Sequence, residues 1–257
     1  MTLITSIHNP AVMLVHKLQQ KKYRDQLGLF VVDNPLTVRD GLHHGAQIKS
    51  LLVGDSFASR ERELFSAIAT PLKPEVVVRV SDALLQKVCL TEHTQGMIAV
   101  CRIQSIPASL DAPIVYLDGV GDPGNVGTIL RTSAAFGVRS IMADMDTADF
   151  YNPKTVAAAK ESIFILSLSR VSSAALADVR KKMPMYGLAV NGATPLQEVE
   201  WQHPFCLVLG NEARGISPEV YRYLSTSVAI EMAGGSVESL NVALAAAIAL
   251  YRAFHSR

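Results

Sequence analysis

Cys206–Ser217 reads CLVLGNEARGIS, and Ile230–Tyr251 reads IEMAGGSVESLNVALAAAIALY. In each stretch a short apolar run ends in a loop of Gly with Asn, Glu, Ser or Arg, and the second loop runs into a long, almost uncharged helix. Apolar runs of this kind read as strands buried on both faces. Loops of little side-chain bulk after such strands are where α/β proteins hold ligands. Here two of them lie about twenty residues apart and read as one site.

The residues upstream continue the alternation. Ile114–Asp118 (IVYLD) is expected as a strand, Asn125–Phe136 as a helix closed by Gly137, Ser140–Ala143 as a strand and Pro153–Lys160 as a helix. Phe164–Leu168 is expected as a strand and Ser172–Lys182 as a helix. Leu188–Val190, Cys206–Leu209 and Val228–Glu231 complete the strands. Continuous apolar strands separated by helices predict a parallel sheet covered on both faces. The first half alternates on a smaller scale. A helix over residues 12–26 carries the basic cluster Lys17, Lys21, Lys22 and Arg24. Strands are expected at Leu29–Asp33, Ile48–Val53 and Met97–Cys101, and helices at Thr37–His44, Arg60–Ala69 and Asp82–Val88. Gln104–Pro113, with two Pro and no periodicity, reads as a linker. The chain thus divides into a small α/β domain at 1–105, a linker at 106–113 and a larger α/β domain at 114–257.

Composition narrows the function. The 257 residues are 49% hydrophobic and 18% charged, as in a well-cored globular protein. The net charge of +1 leaves no global positive field, so any nucleic-acid contact must come from a local patch. Cys89, Cys101 and Cys206 form no CxxC, and the seven His form no HxxxH or HExxH, so neither a disulfide framework nor a metal site is expected. The start, MTLITSIHNPAV, is not of signal-peptide type. The Ala-rich helix at Leu240–Phe254 is too short to span a bilayer. A cytoplasmic, non-membrane protein is the expectation.

Gly119-Val-Gly121-Asp-Pro-Gly124 matches GxGxxG between a strand and a helix, with Asp144 twenty residues on. That context predicts a dinucleotide turn and an NAD(P)-dependent oxidoreductase as the alternative function. A tight turn that needs its glycines explains the same pattern, with Asn125 as a natural N-cap. In the helix that follows, Val126, Ile129, Leu130 and Ala134 share the core-facing stripe. Arg131 falls on the other side with Thr128 and Ala135, as a surface residue or as a guanidinium for phosphate or carboxylate. Glu212 reads equally as a ligand acceptor or as half of a loop salt bridge with Arg214. Ser239 reads as the cap of the Ala-rich helix. Asn241, one turn inside, is a poor helix former there and points to function. His93-Thr-Gln-Gly96 reads as a polar turn.

Together these blocks resemble the SpoU (TrmH) family of RNA ribose 2′-O-methyltransferases, of the SPOUT superfamily. Asn125-Val-Gly-Thr-Ile-Leu-Arg131-Thr-Ser-Ala-Ala-Phe-Gly137 is similar to its motif 1, Leu207–Ser217 to motif 2, and Ile230-Glu-Met-Ala-Gly with Ser239-Leu-Asn-Val-Ala243 to motif 3. Asn152-Pro-Lys154 resembles a family element between motifs 1 and 2. The first half resembles the family's ribosomal-protein-L30e-like substrate-binding domain, with His93–Gly96 as its closing turn. The resemblance implies a C-terminal trefoil-knotted parallel-sheet domain after a small α/β domain, working as a homodimer with the motif 3 helix near the interface. It implies S-adenosylmethionine, held by Leu209, Gly210, Asn211, Ile230, Met232, Ser239 and Leu240. It implies Arg131 as the residue acting on the target ribose, with Asn125, Glu212, Ser239 and Asn241 completing the catalytic pocket. RNA (rRNA or tRNA) is the implied partner, held in part by Lys17, Lys21, Lys22 and Arg24. Glu231 stands where the family reads Pro. A repurposed member that acts on a small molecule or only binds RNA is the further alternative.

Overall fold

The computed structural model of the chain describes residues 3–89, 94–189, 193–233 and 239–255. Its residues form two units, Met1–Gln104 with Tyr151–Phe164, and Ser105–Phe150 with Ile165–Arg257.

The first unit opens with α1 (Pro10–Leu18), α2 (Lys21–Leu27), β1 (Leu29–Val32) and α3 (Pro35–His43). It continues through β2 (Ile48–Gly54), α4 (Phe57–Arg60), α5 (Arg62–Ala69), β3 (Val77–Val80), α6 (Asp82–Val88) and β4 (Met97–Arg102). The strands form one sheet in the order β1-β4-β2-β3. Val12, Val15 and Leu18 of α1 are buried in one cluster with Leu29, Leu52, Leu85 and Ile98. Asn9 caps α1 by accepting from the Ala11 N–H, and Pro10 pre-sets its first turn. The single helix expected over 12–26 is two helices, because Gln20 adopts an extended conformation between them. Gly28 closes α2 in the left-handed conformation. His93 lies outside the described residues.

The second unit begins with β5 (Ile114–Asp118), α7 (Pro123–Ala135) and β6 (Ser140–Ala143). The chain then contributes α8 (Pro153–Ala159) and a 3-10 turn to the first unit, where Tyr151 and Phe164 pack on Phe30 at ring distances of 4.9 and 5.6 Å. Gly41 in α3 has no room for a side chain, since a Cβ would lie 2.5 Å from the Phe164 ring. The second unit resumes with β7 (Ser167–Arg170), α9 (Leu176–Lys182), β8 (Met185–Leu188) and β9 (Thr194–Pro195). It ends with β10 (Cys206–Gly210), α10 (Pro218–Tyr221), β11 (Thr226–Ala229) and α11 (Val242–His255).

Among the described residues its seven strands run in the order β7-β6-β5-β10-β8-β11-β9, and every pair is parallel. Every residue of β5 and β6 is buried, as a sheet covered on both faces requires. Three strands are displaced from their expected positions. β7 starts at Ser167, because Phe164 ends the preceding 3-10 turn; β8 and β11 lie two or three residues earlier than the apolar pattern suggests. Because the strands are parallel, the ends of β5, β6, β10 and β11 share one edge of the sheet. That edge carries the loops of all three motifs.

Candidate active site

α7 starts at Pro123, with Asp122 as its N-cap accepting from the Asn125 N–H at 2.8 Å. The expected cap at Asn125 is therefore displaced by one turn. Its side chain, freed from capping, points to the other two motifs. Asn125 Nδ2 donates to Glu212 Oε1 at 2.9 Å, and Asn125 Oδ1 accepts from Asn241 Nδ2 at 2.9 Å. One continuous hydrogen-bond chain thus joins α7, the loop after β10 and the start of α11.

Asn241 is the cap of α11 rather than a residue inside it. Its Oδ1 accepts from the Ala243 and Leu244 N–H groups, which assigns to Asn241 the capping role expected of Ser239. Ser239 and Leu240 are exposed just before it. Asn241 therefore has a structural reason to be polar, and spends its other end on Asn125.

Glu212 is surrounded by donors. Besides Asn125, its carboxylate accepts from the Gly121 N–H at 3.1 Å and the Asp122 N–H at 3.4 Å. Removal from water pushes this carboxyl up, but the Asn125 side chain and the backbone N–H groups of Glu212, Gly121 and Asp122 outweigh that and hold it below the usual carboxylate range. The loop salt bridge with Arg214 is not formed. Asn211 and Gly215 close the loop with reciprocal backbone hydrogen bonds of 3.0 and 2.9 Å. Asn211 Oδ1 accepts from the Ala213 and Arg214 N–H groups, and its Nδ2 donates to the Gly119 carbonyl at 2.7 Å. Gly210 admits no Cβ, which would sit 2.3 Å from Gly215 backbone.

This arrangement uses up the GxGxxG turn. The amides that would cradle a pyrophosphate are bound by Glu212, and the Asn125 amide by Asp122. Asp144, the candidate ribose acceptor of that alternative, accepts from the Gly119 N–H at 3.1 Å and from Thr147 N and Oγ1 at 2.8 and 2.7 Å. The turn is braced from within the protein, and the N–H groups of Gly119, Val120, Gly121, Asp122 and Asn125 are all bound by it.

Arg131 sits two turns along α7 on its exposed side with Thr128 and Ala135, while Val126, Ile129 and Leu130 are fully buried. Among the described residues the Arg131 side chain has no hydrogen-bonding or ionic partner. Leu209 is buried, so only its backbone can meet a ligand. Beyond Ala229 the chain leaves the sheet. Among the described residues Ile230–Ala233 and Ser239–Leu240 make no backbone hydrogen bond, and Met232 and Leu240 expose apolar side chains beside them. Free peptide groups next to apolar surface suit an adenosine-bearing cofactor. Glu231 is exposed, so its charge remains in water.

Arg24 does not belong to the basic patch. It is 2% exposed, and its guanidinium donates to the Leu18 and Gln19 carbonyls at 2.8 and 2.9 Å, satisfying the open end of α1. Lys17, Lys21 and Lys22 are exposed; Lys21 pairs with Asp25, and Lys17 and Lys22 lie 5.9 and 6.0 Å from the Tyr23 ring.

Two supports were not anticipated. Asp118 at the end of β5 is 5% exposed and accepts from Ser217 N and Oγ at 2.6 and 3.2 Å, tying that strand to the motif 2 segment. Burial pushes its carboxyl up against the opposing pull of Ser217. Arg170 donates to the carbonyls of Asp144, Thr147 and Ala148 and so holds the loop that braces Gly119. An apolar strand ending in Asp is the only sequence signal for the first, and none exists for the second. Among the described residues no three His, Cys, Asp or Glu side chains gather in a metal-binding group.

The site falls inside residues 112–251, which match the model of the SpoU rRNA Methylase family. The chain belongs to the SpoU rRNA methylase family. Residues 9–99 match the MRM3-like substrate binding domain. The chain is 30% identical over 96% of its length to the 23S rRNA (guanosine(2553)-2′-O)-methyltransferase RlmP of Bacillus subtilis strain 168, covering 97% of that protein. It is 28% identical over 93% of its length to a 23S rRNA (uridine(2479)-2′-O)-methyltransferase of Streptomyces viridochromogenes, covering 87% of it. Its fold matches the AdoMet-bound rRNA methyltransferase of Sinorhizobium meliloti with a TM-score of 0.84 and 26% identity, covering 98% of this chain and 97% of that one. As a SpoU protein, the chain presents all three family motifs at one sheet edge. Among its described residues no helix is long and apolar enough to cross a membrane.

Proposed function

We propose that this SpoU protein transfers a methyl group from S-adenosylmethionine to a ribose 2′-hydroxyl of RNA, with 23S rRNA as its substrate class. The observation that carries the proposal is the Glu212–Asn125–Asn241 chain of hydrogen bonds, which unites the three motifs and, among the described residues, leaves Arg131 without a partner on the same helix.

When bound, S-adenosylmethionine supplies an electrophilic methyl group on sulfur. The backbone around Leu209–Asn211, Ile230–Met232 and Ser239–Leu240 is the part of this chain suited to hold it. Arg131 is the catalytic residue that contacts the ribose. A guanidinium keeps its protons at ordinary pH, so its main contribution is to orient the hydroxyl and offset nearby phosphate charge. Asn125, fixed from both ends, sets the position of α7 and hence of Arg131. Glu212 and Asn241 hold Asn125, and Ser239 lines the pocket. Most of the rate then comes from alignment, which can be worth about 7–11 kcal/mol when two reactants are held in line.

Residues 1–105 are the RNA-binding domain, joined by 106–113 to the methyltransferase domain at 114–257, whose segment Tyr151–Phe164 packs with the first unit. Lys17, Lys21 and Lys22 are the phosphate contacts of the RNA-binding domain. The protein acts in the cytoplasm as a homodimer through α11, whose Leu244 and Tyr251 are 57% and 59% exposed on one helix face. The trefoil knot of the C-terminal segment belongs to the same proposal and rests on family membership. Two relatives named for different 23S rRNA nucleotides leave the position to experiment. Calorimetry with S-adenosylmethionine and with NAD tests the cofactor. Binding of S-adenosylmethionine alone is expected, and binding of NAD alone would overturn the reading.

A further inference from the structure

Arg214 stands at the tip of the motif 2 loop, and its side chain takes no part in the Glu212–Asn125–Asn241 junction. The loop is rigid by construction. Two backbone hydrogen bonds close it between Asn211 and Gly215, and the Arg214 N–H itself is bound by Asn211 Oδ1 at 3.0 Å. Asn211 is in turn anchored to the Gly119 carbonyl. Gly215 takes φ +69°, a conformation that glycine adopts at no steric cost. The Arg214 backbone is thus fixed while its side chain is exposed.

Its natural counter-ion is two residues away and turned elsewhere. Glu212 gives its oxygens to Asn125 Nδ2 and to the Gly121 and Asp122 N–H groups. Among the described residues Arg214 has no acidic partner. A guanidinium left unpaired on a rigid loop, beside the residue that locks the catalytic helix, is preorganised for an anion from outside the chain. In a ribose methyltransferase the anion next to the target hydroxyl is a backbone phosphodiester.

We infer that Arg214 binds an RNA phosphate adjacent to the target ribose and so sets the register of the strand at the site. This rests on the RNA methyltransferase reading. It makes Arg214 a positioning residue, distinct from Arg131. The test measures RNA affinity against salt, together with KM, kcat and S-adenosylmethionine affinity, for full-length wild type, Arg214→Ala and Arg214→Lys. For Arg214→Ala the expected result is about a tenfold weaker RNA affinity and a salt slope lower by about one unit. KM for RNA should rise with it, with kcat at saturating RNA and cofactor affinity unchanged. Arg214→Lys should recover most of the salt slope and less of the affinity, because lysine keeps the charge without the two-pronged geometry. Arg180→Ala, on the exposed side of α9, is the charge-matched control and should change neither. Unaltered affinity and slope in Arg214→Ala would overturn the inference. So would equal losses of kcat and cofactor binding, which would make the residue part of the fold of the loop. If wild type itself neither binds RNA nor methylates it, the functional reading fails first and the inference goes with it.

Discussion

Replacing Glu212 with Gln tests the junction most sharply. Each partner of this carboxylate is a donor: Asn125 Nδ2 and the Asp122 N–H on Oε1, and the Gly121 N–H on Oε2. Gln keeps one oxygen and puts an NH2 group where the other stood. Either Gly121 or Asn125 then faces a donor and loses its hydrogen bond. A hydrogen bond to a charged group is worth about 1.5–3 kcal/mol, and screening at this exposed position reduces that to about 1 kcal/mol. For a chain of this size the melting temperature should fall by about 3 °C. The pH dependence carries the sign. Glu212 has its pKa lowered in the folded state, so its stabilisation is fully present above the ordinary glutamate value of about 4.3 and disappears as the pH falls through the lower folded value. Thermal unfolding of wild type and Glu212→Gln from pH 7.5 downward should show a gap that is widest near neutrality and closes in acid. No gap at pH 7.5, or one that widens on acidification, would refute the reasoning.

Asn241→Asp keeps the oxygen that caps α11 but removes the donor to Asn125. It should lower the melting temperature by no more than the few degrees expected for Glu212→Gln while lowering kcat, to be measured by methyl transfer at saturating substrates; unchanged kcat would detach the junction from catalysis. Arg24→Ala strips one buried and one part-buried carbonyl of their donor and should cost about 1–3 kcal/mol in denaturant unfolding. Lys17→Ala should instead weaken RNA binding and spare stability. Burial pushes Cys101 and Cys206 up to about 12, whereas Cys89 is only half-buried. A thiol reagent at pH 8 should therefore modify Cys89 alone in the native protein, and all three cysteines after unfolding.

β5, β6 and β10 are legible because strands buried on both faces are almost wholly apolar, and α7 because its buried and exposed faces repeat at helical spacing; β7 (SLSR) and β11 (TSVA) carry polar residues, and their expected positions are two or three residues off. The exposed position of Arg131 follows from the same spacing, whereas its role in the site follows only from the resemblance to the family. The caps were misplaced by a turn or less: Asp122, not Asn125, and Asn241, not Ser239. Several polar residues near each helix start can cap, and the choice depends on where the tertiary contacts draw the others. Arg24 was misread because a positive charge near lysines suggests surface. Its burial depends on carbonyls at the end of the preceding helix, which no local pattern records. β9, with two residues, leaves no periodic signal. The packing of Tyr151 and Phe164 on Phe30 joins residues over a hundred positions apart and lies beyond any window of sequence.

The central claim is ribose methylation by a site that includes Arg131. Wild type and Arg131→Ala, the latter expected to fold normally because its side chain is exposed and unpartnered, should each be given tritiated S-adenosylmethionine and fractionated RNA. The label should then be mapped by its resistance to alkaline cleavage. One 2′-O-methylated ribose in 23S rRNA with wild type, and none with Arg131→Ala, is the predicted result. Label on a base, or equal ribose labelling by the two proteins, would contradict it.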